Sequence, residues 1–132
     1  MHPAKQLLSR LYLGDRGVTH LHFDAAQCTV SLGIDQIAVM PLGAKQWNFD
    51  SEREIENGEI RFEGVESISF AVDGAMPNDF VEIDVVDEVD EGKKVRVSIV
   101  LGAVGTDLLT KESRLSLTCV NARLIDPQIP SE

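Results

Sequence analysis

The sequence lacks the features of a membrane-spanning, secreted or disulfide-stabilised protein. No apolar run approaches the ~20 residues that cross a bilayer, and Gln6, Ser9 and Arg10 interrupt the segment where a signal peptide needs a continuous apolar core. We therefore expect a cytoplasmic protein. The two cysteines, Cys28 and Cys119, have no CxxC spacing. We expect both to be reduced thiols buried as small core residues, without a disulfide or a zinc knuckle.

Familiar catalytic and nucleotide-binding motifs are also missing. The sequence contains no GxSxG elbow, no P-loop, no GxGxxG after a strand and no HExxH. Its 22 acidic residues offer many carboxylate pairs, and only geometry could select one for acid–base chemistry. No residue stands out as a nucleophile. We therefore expect no cofactor and favour a non-enzymatic function.

Basic residues are scarce in the middle of the chain. The formal net charge is −10, and residues 50–91 hold 15 acidic side chains against two basic ones, while the rest has a small basic surplus. A surface of this sign repels the phosphates of nucleic acids and of anionic membranes, which disfavours both as partners. It attracts a basic protein and speeds the encounter with it. The alternative is that the acidity only keeps the protein soluble.

The first patterned segment predicts a short N-terminal helix. Pro3 suits the first helical position, and a short strand is the competing interpretation. The apolar stripe of this helix consists of Ala4, Leu7, Leu8, Leu11 and Tyr12.

From residue 21 onwards, apolar and polar residues alternate as in strands that bury one face. The runs are separated by polar turns without helical patterns between them. They predict an all-β, mainly antiparallel sandwich or barrel of about eight strands, with the one short N-terminal helix. We expect a single β domain over residues 1–125 and a flexible, proline-containing tail over residues 126–132. The runs are Leu21–Phe23, Val30–Val39, Trp47–Phe49, Ile60–Phe62, Ile68–Val72, Val81–Val85, Val95–Leu101 and Leu115–Leu124.

Two connections in this pattern carry further information. The loop Asp90–Lys94 contains Gly92 between two alternating runs, which predicts a hairpin. After Cys119 the alternation continues in the opposite phase. This indicates either a bulge near Cys119 or a central strand with both faces covered.

The acidic run that follows residue 77 is the first candidate binding surface. An EF-hand is excluded, because aligning Gly92 with the loop glycine places Val89 and Ser98 where the motif needs an oxygen ligand and a glutamate. Strand alternation instead places Glu82 and Asp84 on one solvent-facing surface, which could bind Arg and Lys side chains of a partner. The predicted partner-binding residues are Asn78, Asp79, Glu82, Asp84, Asp87, Glu88, Asp90 and Glu91.

His20 and His22 form the second candidate site. On a strand, residues at i and i+2 point to the same face, a spacing that can chelate a transition metal when neighbouring strands supply further ligands. Completing such a metal site would require cysteines or acidic residues brought close by the fold. The simpler interpretation is an exposed histidine pair without a metal.

Three short segments carry a resemblance to known proteins. They are Leu11–Gly17, the stretch from Asn57-Gly58 to Phe62–Val65, and Gly74–Asp79. Through them the chain resembles a family of small, uncharacterised bacterial single-domain proteins, which implies a bacterial origin and transfers no catalytic residue. In size and acidity the chain is also similar to immunity proteins that neutralise toxins.

The sequence supports one leading functional hypothesis and two alternatives. The leading hypothesis is a non-enzymatic protein-interaction domain whose acidic surface binds a basic protein. The first alternative is a ligand- or metal-binding β-barrel, possibly an enzyme, that uses His20, His22 and carboxylates beside an apolar cavity of roughly a few hundred Å³. The second alternative is a homodimer built on an exposed strand edge, in place of a monomer.

Overall fold

A computed structural model describes residues 2–13, 16–40, 53–72, 76–103 and 112–128. These residues form two antiparallel β-sheets and one short N-terminal helix, which confirms the predicted all-β fold. The predicted strand Trp47–Phe49 and the end of the predicted tail lie outside the described residues. The elements are α1 (Pro3–Ser9), β1 (Leu11–Tyr12), β2 (Val18–Asp24), β3 (Thr29–Val39), β4 (Arg53–Glu63), β5 (Glu66–Ala71), β6 (Asp79–Val89), β7 (Lys94–Gly102), β8 (Glu112–Cys119) and β9 (Asn121–Ile125).

The strand order leaves five strands with a neighbour on one side only. The first sheet has the order β1-β3-β4-β9, and β2 also pairs with β3, on the side away from β4. The second sheet has the order β5-β8-β7-β6. Among the described strands, these are β1, β2, β5, β6 and β9. The predicted hairpin is confirmed, since β6 and β7 pair antiparallel with Val89 opposite Lys94.

The helix is shorter than the apolar stripe predicts. It ends at Ser9, and Leu11 and Tyr12 instead form β1, where they pair with Val39 and Ala38. The prediction was therefore wrong for these two residues. A helix of two turns gains few hydrogen bonds. Pairing with β3 gives hydrogen bonds to backbone groups that would have no partner at the end of a longer helix. No helix in the described ranges is long and apolar enough to cross a membrane.

The core lies between the two sheets and is filled by the inward-facing residues of the long strands. Leu32, Phe62 and Ile99 are fully buried there, and each such side chain contributes roughly 1.5–3 kcal/mol relative to exposure. On β3, the residues that alternate with this core face are Ser31 and Gly33, and both are nevertheless buried. The outward face of the first sheet is therefore covered at this point by side chains of neighbouring strands.

The chain changes sheet at two places that contact each other. It leaves the first sheet after Glu63 and returns to it at Asn121, with Val120 between β8 and β9. The Val120 backbone N–H donates to the Glu63 carbonyl at 2.9 Å. The reversed alternation after Cys119 therefore comes from this change of sheet. It does not come from a bulge within one strand or from a strand covered on both faces.

The two cysteines lie in different surroundings. Cys119 is buried, as predicted, and burial raises the pKa of its thiol to about 11. The prediction was wrong for Cys28, which is exposed. Cys28 lies in the turn between β2 and β3 with a φ of 57°, outside the strands whose alternate residues fill the core.

We predict that Gly64→Ala destabilises the protein more than Gly92→Ala. Both glycines have positive φ, +62° and +83°, so alanine is strained at either site. A Cβ on Gly64 would also lie 2.8 Å from Val120 Cγ2, whereas a Cβ on Gly92 has no atom within 4 Å. We expect losses in unfolding free energy of roughly 2–4 kcal/mol for Gly64→Ala and about 1–2 kcal/mol for Gly92→Ala.

Urea unfolding of the two variants measures this difference. Equal losses in unfolding free energy would contradict the close contact between Gly64 and Val120, the two places where the chain passes between the sheets. A double variant Gly64→Ala/Val120→Ala should recover part of the loss, because it removes the side chain that the new Cβ meets.

Candidate functional site

Both histidines of the second candidate site lie on the outward face of the first sheet. The register places His20 beside Gly33 and, one strand further, Glu59. It places His22 beside Ser31 and, one strand further, Arg61. Together with their neighbours these side chains form a groove of about 450 Å³, which we call the histidine groove. It is lined by His20, His22, Asp24, Gln27, Thr29, Ser31, Glu59, Arg61 and Glu63.

His20 reaches across a whole strand within this groove. Its Nε2 lies 3.0 Å from Glu59 Oε1, although Glu59 belongs to β4 and β3 runs between them. Gly33 makes this possible, because a Cβ at that position would lie only 2.2 Å from His20 Cε1. A glycine inside a strand marks such a close approach, and this isolated glycine is the signal by which the sequence could have indicated the groove.

Glu59 is held by two partners. Besides His20, Arg61 donates from Nη2 to Glu59 Oε2 at 2.8 Å. Partial burial acts to raise the pKa of the Glu59 carboxyl, but the hydrogen bonds from His20 and Arg61 outweigh it, and the net pKa is lowered. Glu59 is therefore held as a carboxylate that fixes the positions of His20 and Arg61.

The described side chains of the groove are not grouped as a metal site requires. No group of three or more His, Cys, Asp or Glu side chains able to hold a metal ion lies within residues 2–13, 16–40, 53–72, 76–103 and 112–128. A metal role for His20 and His22 stays a prediction. The structure instead shows His20 bonded to a carboxylate.

A second concavity opens between β2 and the second sheet. It has a volume of about 420 Å³ and is lined mainly by apolar side chains. Leu101, which is fully buried, and Phe70 belong to its walls, and the Phe70 ring lies 5.9 Å from the Phe23 ring between centroids. We call this the sandwich cleft. Its lining consists of Val18, Thr19, His20, Leu21, Phe23, Phe70, Met76, Pro77, Asn78 and Leu101.

Large apolar side chains around the sandwich cleft are exposed. Phe23 is 44% exposed, Ile68 48% and Met76 79%. The alternation of β5 predicted a buried face for Ile68, Phe70 and Val72, and this is wrong for Ile68 and Val72. A register shift between Glu66 and Ser69, where Ser67 has a φ of 56°, interrupts the alternation of β5 at Ile68, and Val72 lies beyond the end of the strand.

Comparison with known proteins identifies the family. The model of a family described as "Family of unknown function (DUF6258)" matches residues 1–132. The chain belongs to DUF6258. This confirms the resemblance to a family of uncharacterised proteins, while a bacterial origin stays a prediction. Among curated proteins, none matches the chain.

In this DUF6258 protein the predicted acidic residues follow one edge of the second sheet. Most lie on β6, and Asp90 and Glu91 lie in the hairpin that connects it to β7. Asn78 and Asp79 begin the segment. Asn78 lines the sandwich cleft, and Asp79 forms an isolated bridge with Gly17. The structure therefore brings the predicted residues into one row.

Basic side chains from β7 and β8 stand within this acidic row. Arg114 donates to Asp84 at 2.6 Å and lowers the pKa of its carboxyl. Three further carboxylates also have partners, which are Arg96 for Asp87, Lys94 for Asp90 and the His2 backbone N–H for Glu88. In the described part of the chain, Glu82 and Glu91 have no ion-pair partner. The distribution of charge along the sequence did not predict these pairs, which join residues far apart in the chain.

We predict that Glu59→Gln reduces the dependence of stability on acidic pH. Because the pKa of Glu59 is lower in the folded protein, its partners add stability above pH 4.5, the ordinary value, and that stability is lost as the pH falls below it. The variant should be less stable than the wild type at pH 7 and should lose less stability between about pH 5 and pH 3.

Urea unfolding at several pH values measures this change. Glu56→Gln is the matched control, since Glu56 is exposed on the same strand and makes no ion pair within the described residues. If both variants follow the wild-type pH profile, the bonds of Glu59 do not contribute as argued.

Proposed function

We propose that this protein is a non-catalytic binding domain that holds a small, mainly apolar molecule in the sandwich cleft. The observation that carries the proposal is a cleft of about 420 Å³ whose walls come from both sheets and reach fully buried Leu101. This volume falls within the range of roughly 300–1,000 Å³ that small-molecule sites occupy. It also matches the cavity that the ligand-binding hypothesis requires.

The lining supports an apolar ligand with one polar end. Val18, Leu21 and Phe70 offer aliphatic and aromatic surface, and transfer of apolar ligand surface from water to such walls is favourable. Polar residues in the described lining are few, namely Thr19, His20 and Asn78. The His20 ring nitrogens lie within hydrogen-bond distance of Thr19 Oγ1 and Glu59 Oε1, which fixes the ring at the edge of the cleft. A few placed polar groups in an apolar cleft orient a ligand by hydrogen bonds.

The shape of the sandwich cleft favours a small molecule over a protein partner. Stable protein–protein interfaces bury roughly 1,200–2,000 Å² and are distributed over many residues on each side. The cleft is a concavity, and ten of the described residues line it. A compact ligand fills such a space better than a flat protein surface does.

We predict that the neutral fluorescent probe N-phenyl-1-naphthylamine binds at one saturable site per chain. Phe23→Ser and Met76→Ser together should weaken binding by about tenfold, equivalent to ~1.4 kcal/mol of lost apolar contact. Both side chains are exposed, so the loss in protein stability should be small. The measurement is a fluorescence titration.

Val120→Ser is the matched control for this titration. Val120 is 49% exposed, like Phe23, but does not line the sandwich cleft. It should bind the probe like the wild type. A probe signal that never saturates, or that falls equally in the control, would contradict the proposal. Native mass spectrometry of untagged protein from its source cell would identify a retained ligand.

We also propose a second function, in which the acidic edge formed by β6 and its hairpin binds a basic protein. Glu82 and Glu91 support this proposal, because neither has an ion-pair partner within the described ranges, and so does the position of β6 at a sheet edge. The ion pairs with Arg96 and Arg114 lower the negative potential of the same surface. An immunity-like protein that neutralises a basic toxin in the cytoplasm would be one form of this function.

We predict that association with a basic partner recovered from the source cell slows steeply as ionic strength rises. Exposed charges are screened within a Debye length, which is about 10 Å at 0.1 M salt. Glu82→Lys should reduce the association rate, while Glu56→Lys makes the same change of charge on the other sheet and should have little effect. Equal rates at low and high salt, or equal effects of both variants, would count against this function.

A further inference from the structure

We propose that the histidine groove is a separate binding site for the oxyanion group of a small molecule, a carboxylate or a phosphate. The inference goes beyond the proposed function, because the groove lies on the outward face of the first sheet. The sandwich cleft opens instead between the two sheets. The two concavities share His20 in their linings but otherwise have different walls.

Ser31 provides the central observation. It is only 5% exposed, yet it lines the histidine groove. In the part of the chain that the structure describes, its hydroxyl has no hydrogen-bond partner. Within the described residues the Ser31 Oγ is not one of the fully enclosed polar atoms, so it is reached from the groove and can donate a hydrogen bond to a ligand there.

Two further donors lie on either side of Ser31. The register makes His22 its neighbour on β2 and Arg61 its neighbour on β4. Arg61 donates to Glu59 from Nη2 only, and neither His22 nor the rest of the Arg61 guanidinium has another partner among the described residues. The row His22–Ser31–Arg61 therefore offers imidazole, hydroxyl and guanidinium groups to one acceptor. Guanidinium groups bind carboxylates and phosphates through strong, charge-assisted hydrogen bonds.

The groove carboxylates, in contrast, already have donors. Glu59 and Glu63 each pair with an arginine, which partly balances their negative charge beside the donor row. The carboxylate partners are His20 and Arg61 for Glu59, Asn121 and Arg123 for Glu63, and the Gln27 backbone N–H for Asp24.

Nuclear magnetic resonance of ¹⁵N-labelled protein tests the proposal directly. Sodium phosphate and sodium acetate are titrated separately at constant ionic strength, and sodium chloride and methylammonium chloride serve as reference salts. We expect saturable shifts at the backbone amides of residues 22, 31 and 61 with phosphate or acetate, with a Kd of roughly millimolar order. The more effective of the two anions indicates which group the natural ligand carries.

Three variants and one control locate the binding site. Ser31→Ala and His22→Gln should each weaken binding by about three- to tenfold, and Arg61→Gln by about tenfold or more. Arg96→Gln is the control, because Arg96 is also an exposed arginine paired with a carboxylate, but it lies on the second sheet. Ser31→Ala breaks no hydrogen bond within the described residues, so it keeps the test valid if Arg61→Gln impairs folding.

Three results would overturn the proposal. The first is the absence of saturable shifts with both anions. The second is a response to methylammonium alone, which would make the groove a cation site. The third is equal weakening by Arg96→Gln and the groove variants, which would indicate nonspecific attraction of anions. Because none of these results depends on the fluorescent probe, they leave the test of the sandwich cleft unaffected.

Discussion

The pairing of β3 with three other strands constrains most of this molecule. β4 lies along one side of it, and β1 and β2 share the other side. Since side chains alternate between faces with a period of two, this register fixes the residues that enter the core and the residues that face outward. Leu32 and Ile34 pack inward, whereas Ser31 lines the histidine groove and Gly33 lies under the His20 ring. A shift of one residue would exchange these two sets and destroy both the core and the groove.

The two concavities of the protein differ in chemistry because they lie on different sides of β2. The side that faces the second sheet carries Leu21 and Phe23, whereas His20 and His22 line the polar groove. One edge strand therefore supplies walls to an apolar space and to a polar one.

The negative charge of the chain is partly balanced by arginines on both sheets. Within the described ranges, Glu82 and Glu91 carry negative charge that no ion pair balances.

Local pattern predicted much of the fold, because alternation is a property of neighbouring residues. The strands, the hairpin at Gly92 and the buried side chains of β7 all follow from it. It failed for Leu11 and Tyr12, where pairing with β3 overrides a helical spacing, and at Val120, where the chain changes sheet. The contact between His20 and Glu59 and the pair of Asp84 with Arg114 join distant segments. Only the tertiary fold determines such contacts, so the donor row at Ser31 could not be predicted from sequence.

The contact between Gly64 and Val120 has a consequence for how the molecule assembles. Each sheet contains strands whose continuation belongs to the other sheet, because β4 leads into β5 and β8 leads into β9. Neither layer can therefore be excised as an independent folding unit. To form contacts between residues so far apart in sequence, the chain must lose conformational entropy before the favourable contacts stabilise it. This slows folding relative to helical proteins of similar length. We infer that both sheets form in one cooperative step. This step is complete when the two segments that pass between the sheets, at Gly64 and Val120, come into contact.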